Sequence, residues 1–189
     1  ISQHMTLNQA VYHAPEYNHN SIGVEFLHGT PGLDGSAIWT SPGSGAGEIG
    51  YKAPTGAQVN ALYELVQALL KKVPSITSKV FWPDADAKVE KCYKVKGKKK
   101  KCRSVTTDTN NGWLAAGKQF TRGAGGGIFS HGHVASTRRD GLFQAYYLWL
   151  RMEENLNHEN AYKKATIEEQ DRQVDFINSS DPWASKWVK

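Results

Sequence analysis

The segment from His131 to Asp140 carries side chains that could bind a metal ion. His131 and His133 follow Gly127-Ile-Phe-Ser, a short predicted strand, and Asp140 comes nine residues after His131. Zinc accepts imidazole nitrogen and carboxylate oxygen as ligands, and a catalytic zinc site keeps one position for water. A histidine at the end of a strand and a carboxylate before the next helix could converge on one ion. The same spacing also fits a polar turn in which Asp140 caps a helix, and His133 is the alternative to His131 as a ligand.

Three helices are predicted around this segment. The clearest one follows Thr55, a residue type that caps helix N-termini, and ends before Pro74. Residues 141–152 are strongly apolar and predict a buried helix. Residues 159–177 alternate charged and apolar side chains at helical spacing and predict an amphipathic helix.

Strands are predicted where branched and aromatic residues are concentrated, at 21–27, 76–82 and 127–131. Residues 29–52 are rich in Gly, Ser and Pro and predict a long surface loop, and residues 106–127 predict a polar, glycine-rich connection. Because strands and helices are interleaved along 189 residues, the sequence predicts one domain of the mixed α/β class.

Cys92 and Cys102, the two cysteines of the chain, enclose nine residues of which six are Lys. Two cysteines without a second pair do not form a zinc-finger pattern. We interpret them as a disulfide that closes a basic hairpin at 88–105, the alternative being two reduced thiols in a loop. A disulfide indicates an oxidising compartment and hence an extracytoplasmic protein, secreted or periplasmic.

The composition excludes several classes of protein. Hydrophobic residues make up 39% and charged residues 22%, which is typical of a folded globular chain. No run approaches the roughly 20 apolar residues of a transmembrane helix. The net charge of +5 favours an anionic partner, but no motif of a specific nucleic-acid-binding fold is present.

Four segments form a series along the chain: Tyr12-His13-Ala14, then Asn18 to Glu25 ending in Ser-Ile-Gly-Val-Glu, then Pro54-Thr-Gly-Ala-Gln58, then His131 to Asp140 with Val134 in third place after His131. This series, which runs from about residue 11 to 150, resembles the zinc-dependent N-acetylmuramoyl-L-alanine amidases. That family includes the phage T7 lysozyme-type enzymes and the peptidoglycan recognition proteins.

The resemblance implies a fold and an activity. The fold would be a central mixed β-sheet flanked by helices, into which the basic disulfide hairpin is inserted. A Zn²⁺ ion in a surface groove would serve hydrolysis of the amide bond between N-acetylmuramic acid and L-alanine. The implied partners are peptidoglycan and muramyl peptides.

The resemblance also implies roles for individual residues. The zinc ligands would be His131, Asp140 and a further histidine. Glu25 and Arg138 would be catalytic, Arg138 lying where many members of the family place a Lys that stabilises the oxyanion. Substrate-binding residues would be His13, Asn20 and Arg139.

The first zinc ligand has two interpretations. In the family it comes from an early strand ending in His-x-Thr, and His4-Met5-Thr6 matches that ending. Alternatively, Ile1-Ser-Gln-His4 resembles a later family segment, so that the first strand is missing from this chain or lies on a separate polypeptide. In that case a non-catalytic peptidoglycan-binding relative is the second hypothesis for function, and a polyanion-binding module is the third.

Overall fold

The computed structural model describes residues 17, 21–24, 38–40, 50–52, 54–84, 87–93, 101–107, 110–122, 127–134 and 141–178. Over these residues the protein is of the mixed α/β class, as predicted. The elements in chain order are β1 (Ile38–Thr40), β2 (Gly50–Lys52), α1 (Gly56–Lys72), β3 (Lys88–Tyr93), β4 (Lys101–Thr106), α2 (Asn110–Arg122), a 3₁₀ turn (His131–His133), α3 (Leu142–Met152) and α4 (His158–Asn178).

Helix α1 confirms the prediction made from Thr55 and Pro74. The Gln58 amide N–H donates to the Thr55 hydroxyl at 3.3 Å, and the Gln58 side-chain oxygen accepts from the Thr55 amide at 2.8 Å. This reciprocal capping box satisfies two amide donors that the first turn of a helix leaves without intrahelical partners. Lys71 and Lys72 lie in the last turn, where cations complement the helix dipole.

The hydrophobic core lies where α1, α3 and α4 pack together. The predicted helices at 141–152 and 159–177 are both confirmed, with bounds that differ by one residue. Buried apolar side chains from all three helices form one cluster. Its least exposed members, at 2% or below, are Val59, Phe143, Tyr147, Leu150, Ala161 and Ala165.

Helix α2 corrects the prediction of a polar connection over 106–127. The Asn-Asn-Gly run at 110–112 is typical of a loop, yet it begins a helix. The signal for that helix is the spacing of Trp113, Ala116 and Phe120 at i, i+3 and i+7, which lines up one apolar face. Ala116 is buried, and α2 packs against β3, β4 and the 3₁₀ turn.

The strands differ from the predicted ones. Residues 21–24 have no regular structure, and residues 25–27 lie outside the described part of the chain. The loop predicted at 29–52 contains the antiparallel pair β1–β2. In 76–82 a single residue, Val80, forms a bridge, parallel to Ile128. Within the described ranges the strands thus form two separate antiparallel pairs and one bridge, without a larger sheet.

The basic hairpin is confirmed, with β3 and β4 paired antiparallel over 88–93 and 101–106. Cys92 and Cys102 lie directly opposite each other and form the predicted disulfide. The disulfide is compatible with an extracytoplasmic protein. Among the helices that the structure describes, none has the length and apolar character needed to cross a membrane.

A partly buried polar network connects the three core helices. The Tyr147 hydroxyl lies 2.8 Å from His158 Nδ1 on α4 and accepts a hydrogen bond from Arg151 at 3.2 Å. The Arg151 guanidinium lies over the Tyr63 ring of α1, with its Cζ atom 4.1 Å from the ring centroid. Burial raises the pKa of Tyr147 above its ordinary value, and the hydrogen bond from Arg151 offsets part of that increase.

This raised pKa predicts a loss of stability at alkaline pH. The unfolded chain releases the tyrosine proton from about pH 10, whereas the folded protein retains it until the higher folded pKa. The free energy of unfolding should therefore fall between these two pKa values, by up to about 1.4 kcal/mol per pH unit for one group. Tyr147→Phe should cost about 1 kcal/mol at neutral pH through the lost hydrogen bonds but flatten this decline. Urea unfolding from pH 8 to 11 measures both effects, and an equally steep decline in the variant would contradict the prediction.

Candidate metal centre

Two backbone hydrogen bonds hold the chain that leads into His131. The amide of Ile128 donates to the carbonyl of Lys79 at 2.9 Å, and the amide of Phe81 donates to the carbonyl of Ile128 at 2.8 Å. The amide of Val80 donates in turn to the Glu153 carboxylate at 2.8 Å, next to the end of α3. The segment before His131 is therefore fixed against 79–81, although its predicted strand is reduced to one bridge.

His133 supports the turn from the inside. Its side chain is fully buried, and the Ser130 amide donates to its Nδ1 at 3.1 Å. Because Nδ1 accepts this bond, a neutral ring carries its proton on Nε2. The ring lies 4.8 Å from that of Phe81 and 5.0 Å from that of Trp113, measured between centroids. These contacts give His133 a structural role.

His131 is the more accessible histidine of the turn. Its side chain is half-buried, whereas those of His133 and Val134, which follow in the same turn, are buried. The amide of Val134 donates to the carbonyl of His131 at 3.1 Å and closes the turn. The His-x-x-Val spacing thus places the valine in the core and leaves the first histidine half-buried.

A contact between Ser130 and Gly141 joins the two segments that carry the predicted ligands. Gly141 has a φ of 79°, in the left-handed region that favours glycine. A Cβ atom added to it would lie 3.1 Å from the Ser130 Cβ, so the two backbones approach closely. His131 follows Ser130 in the chain, and Asp140 precedes Gly141. The contact therefore lies one residue from each predicted ligand.

The N-terminal part of the chain contacts the same region. The Tyr17 ring meets the Phe129 ring edge-on at 5.3 Å, and the Tyr17 hydroxyl lies 3.0 Å from the Thr121 hydroxyl of α2. The Ser21 hydroxyl donates to the Tyr17 carbonyl at 2.8 Å. Tyr17 and Ser21 lie in the N-terminal stretch that contains several predicted site residues. Phe129 lies two residues before His131 in the chain.

The other predicted site residues lie outside the described part of the chain. They are His4, His13, Asn20, Glu25, Arg138, Arg139 and Asp140. Of the eight predicted site residues, the structure therefore describes one, His131. It also brings together segments that adjoin several of the others in sequence.

Gly117 of α2 is a residue of this region that is not among the residues predicted from the sequence. A Cβ atom there would overlap the carbonyl oxygen of His133 and lie 2.8 Å from its carbonyl carbon. Only a glycine therefore lets the helix approach the 3₁₀ turn this closely. The available sequence signal was a glycine on the apolar face of a helical pattern, four residues after Trp113.

One further group of metal-ligand types occurs in the described ranges. The side-chain ligand atoms of Glu90, Cys92 and Cys102 lie within 4.8 Å of one another. The two sulfur atoms are joined in the disulfide, and a thiolate is the form of cysteine that binds metals. The oxidised hairpin is therefore not a zinc centre of the thiolate kind.

Comparison of the chain with protein-family models, with curated proteins and with solved structures finds no match.

Proposed function

We propose that the protein is a zinc-dependent N-acetylmuramoyl-L-alanine amidase with its metal centre at His131. The observation that carries the proposal is the close approach of Ser130 and Gly141, which lie next to His131 and Asp140. The contact between Tyr17 and Phe129 adds support, because it brings the segment with the Ser-Ile-Gly-Val-Glu motif to the same region. The amidase fold, with its central sheet, belongs to this proposal.

The residues suit a zinc ion of the catalytic kind. His131 offers a half-buried imidazole and Asp140 a carboxylate, and the third ligand is His4 or a histidine of a separate N-terminal segment. When bound, zinc polarises the scissile carbonyl and lowers the pKa of a bound water molecule. The buried His133 side chain anchors the 3₁₀ turn that contains the His131 backbone, which favours a preorganised ligand.

The remaining roles fall to other residues of the chain. Glu25 accepts the proton of the attacking water and delivers it to the departing amine as the C–N bond breaks. Arg138 stabilises the negative charge that develops on the carbonyl oxygen. His13, Asn20 and Arg139 bind the muramyl peptide. The products are the free carboxyl group of the muramic acid lactyl ether and a peptide with a free L-alanine amino group.

Product analysis tests this proposal. Purified protein is incubated with a muramoyl peptide, and the reaction is followed by mass spectrometry and by labelling of new amino groups. We expect release of the intact peptide with L-alanine at its N-terminus, abolished by a chelator and restored by zinc. Binding of the muramoyl peptide without hydrolysis, in the presence of zinc, would instead identify a non-catalytic peptidoglycan-binding protein.

A further inference from the structure

An open groove of about 370 Å³ lies between residues 79–84, β3, α2 and the end of α3. Its volume falls in the range of roughly 300–1,000 Å³ that is usual for sites of small ligands. Helix α3 starts beside Ser130 and reaches the groove after 11 residues, a length of about 16 Å. The groove is therefore separate from the proposed metal centre, and none of the predicted site residues lines it.

Three half-buried aromatic side chains line the groove: Trp82, Phe120 and Trp149. The Trp149 ring is nearly parallel to the Tyr146 ring, with 5.8 Å between their centroids, and the Tyr146 ring lies 4.5 Å from that of Trp82. These contacts hold both indoles in place while part of each ring stays accessible. A ligand that packs on such fixed rings does not have to order them, which lowers the cost of binding.

The polar lining of the groove carries charges of both signs. Asp84 and Glu153 provide carboxylates and Lys79 an ammonium group, and all three side chains are exposed. One Glu153 oxygen accepts a hydrogen bond from the Val80 amide at 2.8 Å, and the other remains an acceptor for a ligand. An anionic ligand would meet two carboxylates. A cationic ligand would meet Lys79 and a protein of net charge +5.

We propose that this groove binds a neutral saccharide built of pyranose rings. One face of a pyranose presents C–H groups, which pack on the electron-rich face of an aromatic ring. The hydroxyl groups at its edge donate hydrogen bonds to carboxylates and accept them from an ammonium group. Trp82 and Trp149 supply the first kind of contact, and Asp84, Glu153 and Lys79 supply the second. The site goes beyond the proposed amidase activity and does not depend on it.

The charged lining also argues against a purely apolar occupant. A hydrocarbon chain or the apolar face of a helix would cover Asp84, Glu153 and Lys79 without offering them hydrogen-bond partners. Removing a charged group from water without a partner is costly. A saccharide replaces the lost water with hydroxyl groups and still uses the aromatic rings.

The test measures binding of three tetrasaccharides by isothermal calorimetry: the neutral tetramer of N-acetylglucosamine, the cationic tetramer of glucosamine and the anionic tetramer of galacturonic acid. None of them contains a muramoyl-alanine bond, and each titration is repeated with a chelator, so that the proposed zinc chemistry plays no part. The variants are Trp149→Leu, which removes an aromatic ring, and Trp149→Phe, which retains one. Asp84→Ala is matched by Glu154→Ala, an exposed carboxylate outside the groove. Melting temperatures report whether each variant folds.

The neutral tetramer should bind the wild type more tightly than either charged tetramer does, with or without the chelator. Trp149→Leu should bind it at least about tenfold more weakly, and Trp149→Phe should lie between the two. Asp84→Ala should weaken binding about threefold, and Glu154→Ala should bind as the wild type does. Since Asp84 is exposed, this pair keeps the test decisive even if Trp149→Leu does not fold.

Three results would overturn the proposal. The first is a wild-type protein that does not bind the neutral tetramer. The second is wild-type affinity for it in folded Trp149→Leu and Asp84→Ala proteins, which would place the saccharide elsewhere, for example at the proposed amidase site. The third is tighter binding of a charged tetramer that is weakened by Trp149→Leu or Asp84→Ala, which would contradict the choice of a neutral ligand.

Discussion

Gly117→Ala should destabilise the protein, although Ala is the better helix former by about 1 kcal/mol at an unconstrained position. The added Cβ would overlap the carbonyl oxygen of His133, which is backbone and cannot rotate away. Helix α2 must then move from the 3₁₀ turn, and overpacking of this kind costs about 1–3 kcal/mol or more. Chemical denaturation measures the change in the free energy of unfolding.

The same variant should also weaken the proposed metal centre, because α2 supports the turn that presents His131. A matched control is Lys118→Ala, the neighbouring position of α2, which should change stability by less than about 0.5 kcal/mol. A Gly117→Ala protein as stable as the wild type would show that the close approach of α2 and the turn is not tightly constrained.

Glu25→Gln should reduce kcat on muramoyl-L-alanine substrates by a factor of about 10²–10⁴, the usual contribution of a general base. Gln has nearly the same size as Glu but cannot accept a proton from water at neutral pH. KM and zinc content should change little, since the proposed role of Glu25 is in proton transfer and not in substrate or metal binding.

The control for this variant is Glu154→Gln, which neutralises an exposed carboxylate after α3. It should keep the turnover of the wild type. Wild-type turnover in Glu25→Gln would remove Glu25 from the mechanism and leave another base to accept the proton. Loss of zinc from Glu25→Gln would instead indicate a role in the metal site.

The helices of the core could be predicted because their signals are local. Thr55 and Gln58 interact within one turn, and the apolar faces of α1 and α3 repeat at helical spacing. The disulfide hairpin was predictable for the same reason, since ten positions separate its two cysteines. Helix α2 was missed because Asn-Asn-Gly is a loop signal that tertiary packing of Trp113, Ala116 and Phe120 overrides.

The environment of the two histidines was harder to predict. His131 and His133 are two residues apart, and no local pattern shows which one is buried. Their difference arises from contacts with Phe81 and Trp113, which are distant in sequence. The approach of Gly141 to Ser130 likewise depends on how α3 packs. The family resemblance selected His131, and the structure shows it as the more accessible of the two.

Zinc titration of the metal-free protein tests the central claim most directly. Isothermal calorimetry should show one zinc ion per wild-type chain. Loss of a residue that hydrogen-bonds to a metal ligand typically lowers metal affinity about 10–100-fold. Because His131→Ala removes a proposed ligand itself, it should lower zinc affinity by more than that. The control His28→Ala, which removes a histidine without a proposed role, should bind zinc as the wild type does. A wild-type chain that takes up no zinc, or a His131→Ala variant with unchanged affinity, would contradict the assignment of the metal centre to His131.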